Sequence, residues 1–349
     1  MKGLKNLNNN NSKCYIIAEM SANHGGKFEK AVEIIHAAKE AGADCIKIQT
    51  YTPDTITIDC DNEYFTINEG SWKGETLYSL YKKAYTPWQW QDRLKKEADK
   101  IGIDFLSTPF DKTAVDFLED IEVEAYKIAS FEVVDIPLIK YIASKGKPII
   151  MSTGMATLDE ITEAVNTIRK EGNNKIFILK CSSAYPSIPE NMNLNTMIDM
   201  KKNFNVPVGL SDHSLGSIAA TTAVAMGAKI IEKHFCLSRE DDTADSFFSM
   251  EPNEFKEMVH NIRLAERAMG KINYEISEKE KISRSHRKSI FVVRDIKKGE
   301  KLTRENIRVI RPAQGLEPKY YEQVLGKVSK TDIKKGTPFT KDIISIEGD

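Results

Sequence analysis

Along this chain, short runs of aliphatic and β-branched residues alternate with longer amphipathic stretches. Eight such runs recur: CYIIAEM, DCIKIQT, DFLSTPF, AYKIAS, PIIMSTGM, KIFILKCSS, VPVGLSD and KIIEKHF. Their length and apolar density suit strands buried on both faces of a parallel sheet. Between them the apolar positions take helical spacing. KAVEIIHAAKEAGA stops at Gly42, and TLDEITEAVNTIRKEG opens with Thr157 and Glu160 at capping-box spacing and stops at Gly172. Eight strand–helix units in succession predict an α/β fold, the (β/α)8 TIM barrel. An open doubly wound sheet is the alternative. It usually has fewer strands and a glycine-rich fingerprint, and neither GxGxxG nor GxxxxGK(S/T) occurs here.

Two departures from the alternation matter. From Tyr51 to Trp90 the chain runs YTPDTITIDCDNEYFTINEGSWKGETLYSLYKKAYTPWQW, too long for an ordinary strand–helix loop and rich in aromatics. Such a segment either shapes a substrate pocket or packs on the barrel as a structural flap; the sequence weighs the two evenly. Beyond Gly270 the alternation ends. The charged stretch EISEKEKISRSHRK reads as a linker, and DIKKGEKLTRENI (Asp295–Ile307) is echoed by DIKKGTPFTKDII (Asp332–Ile344). Two related units predict a small, pseudo-symmetric β-rich domain. The expected organisation is a barrel over residues 1–275, a linker over 276–288 and the small domain over 289–349.

Composition narrows the classes. Hydrophobic residues make up 41% of the 349, enough for a real core. The net charge of −1 gives no field to recruit nucleic acid or anionic lipid. The five cysteines are scattered without a CxxC pair, so neither a disulfide framework nor a zinc–thiolate site is indicated. No apolar run is long enough to span a membrane, and the Asn-rich start, read as frayed, lacks a signal peptide's apolar region. The expectation is a soluble cytoplasmic protein.

In a barrel, chemistry gathers at the C-terminal ends of the strands. Those ends carry Glu19, Ser21, Asn23 and His24; Lys47 and Gln49; Ser107 and Thr108; Lys127, Ser130 and Glu132; Ser152 and Thr153; Lys180, Ser182, Ser183 and Tyr185; Ser211, Asp212 and His213; Glu232, Lys233 and His234. Polar groups at one end of every strand are costly to bury unless they serve a site. Lysines with small hydroxyls suit a phosphate or a carboxylate. His213 and His234, from neighbouring strands, could converge on a divalent cation such as Mn²⁺, Fe²⁺ or Zn²⁺. A satisfied core histidine is the bland alternative. His36, His260 and His286 fall in helical or linker sequence and read as surface residues. Lys47 or Lys127 could instead form an imine, as in an aldolase; borohydride trapping would reveal it. A carbohydrate-binding protein with a vestigial barrel is the third possibility, against which the full polar set argues.

The runs EMSANHGG, IKIQTY, STPF, AYKIAS, STGM, KCSSAYP, GLSDHS and EKHF, in that order, resemble the motifs of the sialic acid synthase family. Members of that family condense phosphoenolpyruvate with an acylated amino sugar. The tail from Ser289 to Ile344 resembles the family's antifreeze-like SAF (β-clip) domain. IKIQTYTPDTIT and EGSWKGETLYSLYKKAYTPWQW look most like the branch that makes pseudaminic acid from a 2,4-diacetamido-2,4,6-trideoxy-altropyranose. The neuraminate and legionaminate branches are the alternatives; neuraminate synthases usually have Gly-Ile-Asn-His where this chain has Ser21-Ala22-Asn23-His24.

The resemblance implies a transferase whose cofactor, Mn²⁺ or Mg²⁺, is bound by His213 and His234 and polarises the sugar aldehyde. It implies a phosphoenolpyruvate cradle of Lys47, Thr108, Lys127, Ser130, Ser152, Ser183 and Ser211. Glu132 would handle the proton of the attacking water, and Glu19 would be a second catalytic carboxylate, at a position that meets the sugar. Gln49, Asn23, Tyr185 and Asp245 would meet the sugar. Arg311, which alone reads as a surface arginine beside a turn, would reach the barrel of a second subunit in a domain-swapped homodimer. Neither nucleic acid nor membrane is an expected partner.

Overall fold

The computed structural model describes residues 12–70 and 72–343; the Asn-rich start and Ile344 of the second repeat lie outside them. All eight apolar runs form strands: β1 (Tyr15–Glu19), β2 (Cys45–Thr50), β3 (Asp104–Pro109), β4 (Tyr126–Ile128), β5 (Ile149–Ser152), β6 (Ile176–Cys181), β7 (Val208–Asp212) and β8 (Ile230–His234). They pair in parallel in the order β3-β2-β1-β8-β7-β6-β5-β4. β1 pairs with both β2 and β8, as the first and last strands of a barrel must. β3 and β4 lie side by side without a regular ladder. The fold is therefore a TIM-type barrel with one unladdered seam. Helices such as Phe28–Glu40 and Leu158–Lys170 alternate with the strands. The second has the expected capping box, Thr157 Oγ1 accepting from Glu160 N and Glu160 Oε2 from Thr157 N.

Strand parity divides the core into two layers. Ile16, Ile46, Phe105, Tyr126, Met151, Ile178, Leu210 and Ile231 point outward and pack under the helices. Tyr15, Ile17, Cys45, Leu106, Ala125, Ile150, Phe177, Leu179 and Ile230 fill the barrel interior. Side chains alternate along a strand, so the next inward positions are Glu19, Lys47, Thr108, Lys127, Ser152, Cys181, Ser211 and Glu232. The interior thus changes from apolar to polar towards the C-terminal end.

The chain divides into two compact units, Met1–Gly270 and Lys271–Asp349. The expected boundary at residue 275 lies close by, five residues further on. The expected linker holds regular structure. Glu278–Arg284 is a two-turn helix with a Ser277–Glu280 capping box, and it belongs to the second unit. That unit has its own core of Ile290, Val292, Ile296, Leu302, Ile307, Val324, Ile333 and Phe339. Its strands β9 (Ser289–Val292) and β10 (Ile307–Ile310) are antiparallel. The two repeats are joined reciprocally. Ile296 and Ile333 exchange backbone hydrogen bonds, both 2.8 Å. Asp332 accepts from Lys298 N and Lys297 Nζ, and Asp295 accepts from Lys335 N and Lys334 Nζ. The internal pseudo-symmetry expected from the repeats is present.

Candidate active site

The polar end of the barrel opens into a cavity of about 540 Å³. Of the residues singled out in the sequence, Ser21, Lys47, Gln49, Lys127, Ser130, Glu132, Ser152, Tyr185, Ser211, His213, Glu232, His234 and Asp245 line it. Lys127 Nζ donates to Ser152 Oγ at 2.7 Å and to the Ile128 carbonyl at 3.0 Å. Lys47 Nζ lies 3.0 Å from Glu19 Oε2 and 3.3 Å from Glu232 Oε1. Both ammonium groups are buried within a few ångströms of the same carboxylate, Glu232. Ser211 Oγ also donates to Glu232, at 3.2 Å. Burial disfavours the charge on Lys47, but Glu19 and Glu232 outweigh it and hold the group above the usual lysine range. For Lys127 burial prevails and brings it down to about 8, although Glu232 pulls the other way. Two cationic groups in a desolvated pocket could hold an anion.

Glu132 occupies a short helical turn after β4. Its Oε2 is buried without a hydrogen-bond partner, and burial pushes its carboxyl up to about 7, against the pull of Lys127. A carboxyl poised near neutrality in a cleft suits proton transfer. Close by, Ser130 and Ser183 hydroxyls pair at 3.0 Å. Gly154 permits this approach. A Cβ there would fall 2.3 Å from Ser130 Cβ and 2.4 Å from Ser183 Oγ, and its φ of +40° also favours glycine.

His213 and His234 converge as expected, with ring centroids 5.3 Å apart. His213 Nδ1 donates to the Ser182 carbonyl at 2.9 Å, which leaves Nε2 as the acceptor. His234 Nδ1 is buried with no hydrogen-bond partner, and Asp245 Oδ2 lies 3.9 Å from it. Burial and the neighbouring His213 hold His234 well below the usual histidine range, in its neutral, ligating form. Burial also lowers His213, but Cys181 and the Ser182 carbonyl outweigh it and raise the group. Among the described residues, no three His, Cys, Asp or Glu side chains already converge on one metal position. The orphaned His234 nitrogen and the oriented His213 fit two ligand places, leaving the others to water or substrate.

Several expected residues lie elsewhere. Glu19 is fully buried beneath Lys47 and Gln49 and is not part of the cavity wall; it reaches the site only through those two side chains. Thr108 sits behind Lys47, 3.4 Å from its ammonium. Ser183 touches the wall through Ser130. Asn23 does not face the cavity. Its amide donates to the Phe235 carbonyl and Ser249, and its carbonyl accepts from Thr243, tying the end of β1 to the loop after β8. His24 is likewise structural, bonded to Thr86 and Gly26 N. Arg311 is exposed on the second unit, just past β10.

In the sequence Glu232 is only one of the polar residues at the strand ends; it precedes His234 by two positions, so strand parity could have given it a place in the wall. The Tyr51–Trp90 segment supplies an apolar wall of Ile56, Ile67, Trp72, Leu77, Leu80 and Tyr81. The indole of Trp72 donates to the Ala244 carbonyl at 3.2 Å, and its ring packs beside Tyr185. Tyr185 in turn contacts His213 and Phe248. The segment is thus a pocket wall.

The profile of the NeuB family matches residues 34–274. The chain belongs to this family. A SAF domain matches residues 287–344. Pseudaminic acid synthases of Campylobacter jejuni and Helicobacter pylori are 46% and 44% identical, each over 94% of this chain and 96% and 97% of their own lengths. Among solved structures, N-acetylneuraminic acid (sialic acid) synthetase from Leptospira borgpetersenii, in complex with citrate, superposes with a TM-score of 0.70 at 32% identity. It covers 78% of this chain and 90% of that one. The family and the barrel-plus-SAF architecture expected from the motifs are therefore established. No helix among the described residues is long and apolar enough to cross a membrane.

Proposed function

We propose that this chain is a transferase that condenses phosphoenolpyruvate with 2,4-diacetamido-2,4,6-trideoxy-altropyranose and water, giving pseudaminic acid and phosphate. The observation that carries this reading is the composition of one cavity. Two buried lysines, two converging histidines and an elevated glutamate face an apolar wall of Ile56, Ile67, Leu77 and Leu80. Relatives that share the whole length of the chain are named for the same product.

In this mechanism Lys47 and Lys127, with Ser152, Ser130 and Ser211, hold the phosphate and carboxylate of phosphoenolpyruvate. C3 of that substrate attacks C1 of the open-chain sugar, so no protein nucleophile is needed. Cationic character then develops at C2. Glu132 takes one proton from the water that adds there, the alkoxide left at the sugar's C1 gains one, and the tetrahedral carbon loses phosphate by C–O cleavage as its hydroxyl gives up its proton and C2 becomes a ketone. Gln49, Tyr185 and Asp245 orient the sugar's polar groups. When bound by His213 and His234, a divalent cation, Mn²⁺ or Mg²⁺, supplies Lewis-acid polarisation of the aldehyde. The apolar wall suits a substrate with a methyl at C6 and acyl methyls, because a hydroxyl buried there would lack a partner. Arg311 acts in trans, from the SAF unit of a second subunit in a swapped homodimer, and the reaction runs in the cytoplasm.

The test is phosphate release from phosphoenolpyruvate against N-acetylmannosamine, the trideoxy-altrose and its manno isomer. The trideoxy-altrose is expected to give the highest kcat/KM, by about 10² over N-acetylmannosamine, the scale at which an apolar pocket rejects an added hydroxyl. N-acetylmannosamine as the best substrate would make this a neuraminate synthase. The manno isomer as best would make it a legionaminate synthase.

A further inference from the structure

The most deeply buried ion pair at the barrel's polar end takes no part in the cavity. Asp212 and Lys233 are register partners on β7 and β8. Their neighbours Leu210 and Ile231 belong to the outward layer, so parity turns Asp212 and Lys233 away from the site and under the helices. Both are at most 1% exposed, and Lys233 Nζ lies 2.8 Å from Asp212 Oδ2. The same ammonium donates to the carbonyls of Ser214 and Gly216. Asp212 Oδ1 accepts from Ser214 N at 2.9 Å and Ser214 Oγ at 2.7 Å. The ammonium therefore spends its three protons on Asp212 and on the loop that follows β7.

The outward strand positions are mostly apolar, and an apolar cross-strand pair would serve barrel stability at least as well as a desolvated ion pair. What this pair adds is location. Asp212 immediately precedes His213, and Lys233 immediately precedes His234. The hydrogen bonds to Ser214 fix the backbone on the far side of His213 as well. The His213 carbonyl accepts from Ser187 N at 3.0 Å, and the His234 carbonyl accepts from Met250 N at 2.9 Å. The backbone around each histidine is thus held, and the ion pair links β7 to β8 on their outward face, beside the ladder itself and the inward Ser211–Glu232 bond.

We propose that Asp212 and Lys233 are a positioning pair that sets the separation of His213 and His234 and thereby the affinity of that two-imidazole site for a divalent cation. The inference rests on the reading of those histidines as metal ligands. It assigns no contact with substrate to either residue. It predicts that the pair acts on cation binding far more than on the anion cradle, whose lysines lie on β2 and β4 and meet β8 through the inward-facing Glu232.

The test uses the full chain and Mn²⁺ as probe. Mn²⁺ affinity is read from the electron paramagnetic resonance signal of the free ion, and metal-free phosphoenolpyruvate affinity by calorimetry, both well below the unfolding midpoint. Lys233→Met removes the charge at similar length. Asp212→Asn is the milder variant, because the amide oxygen can still accept from Ser214. Both are expected to weaken Mn²⁺ binding about 10-fold or more, the scale reported by outer-shell changes at metal sites, with phosphoenolpyruvate affinity within about 3-fold of the parent. Unchanged Mn²⁺ affinity in a folded variant overturns the inference while leaving the metal reading intact. A parent protein that binds no Mn²⁺ removes both.

Discussion

Replacing Glu132 with Gln should make the protein at once more stable and nearly inactive, and the pH dependence of the stability gain follows from the site. The carboxyl is held near 7 by burial, against an ordinary value of 4.5. At about 1.4 kcal/mol per unit, keeping it ionised costs the folded state about 3 kcal/mol. The sign follows from proton linkage. The folded value lies above the unfolded one, so the folded chain binds more protons over this window and stability falls as pH rises. The cost is absent below the ordinary carboxyl range, grows up to about 7 and is constant above it. Glutamine, being neutral, avoids it. Urea or thermal unfolding of parent and variant from pH 5 to pH 8.5 should give a difference that is small at pH 5 and reaches about 3 kcal/mol at pH 8.5. For a unit of this size that is roughly 5–10 °C in Tm. Phosphate release should fall by about 10²–10⁴, the usual contribution of a general base. The parent's acidic limb in kcat/KM near pH 7 should vanish with it. A stability difference equal at both ends of the range would show that Glu132 ionises normally. Full activity in the variant would remove it from proton transfer.

His213→Ala and His234→Ala should each abolish turnover with the circular dichroism of the fold preserved, and chelator should do the same to the parent, reversibly on adding Mn²⁺; full activity in excess chelator would refute the metal role. Leu80→Asn should narrow the preference for the trideoxy-altrose over N-acetylmannosamine by about 5-fold or more at unchanged phosphoenolpyruvate KM, since a polar partner then meets the hydroxyls; an unchanged ratio in kinetic assays would deny the wall its selective role. Arg311→Ala should raise the KM for sugar more than that for phosphoenolpyruvate. Mixing it with His213→Ala under subunit exchange should recover part of the activity, and no recovery after exchange verified by mass would exclude action in trans.

The strands were readable because parallel barrel strands are short, apolar and separated by helices with their own periodicity. The cavity was largely readable too, because position along a strand fixes depth and parity fixes direction. Lys47 and Gln49 share a face for that reason, and so do Glu232 and His234. Proximity to a strand end was a poorer guide where the chain had already turned. Asn23 belongs to a short helical turn whose residues are all buried, and its amide closes a loop. Glu19 shares the inward face but is covered by Lys47 and Gln49. Trp72 was beyond reach, because its partner Ala244 is 172 residues away and only the fold joins them. The helix at Glu278–Arg284 was announced by the Ser277–Glu280 capping box and hidden by its charge.

The unladdered seam between β3 and β4 has a consequence for the order of events. Backbone ladders fasten all the other junctions of the cylinder; here the strands only lie side by side. Lys47 and Thr108 stand on one side of the gap, Lys127 and Ser152 on the other. An anion gripped by both lysines would therefore be a clasp as well as a reactant. Amide hydrogen exchange in Asp104–Pro109 and Tyr126–Ile128 should be quicker than in β6 and β7 while the cradle is vacant, and should slow once phosphoenolpyruvate spans it. The sugar would then enter a cylinder already drawn tight, which favours an ordered sequence with the three-carbon substrate arriving first.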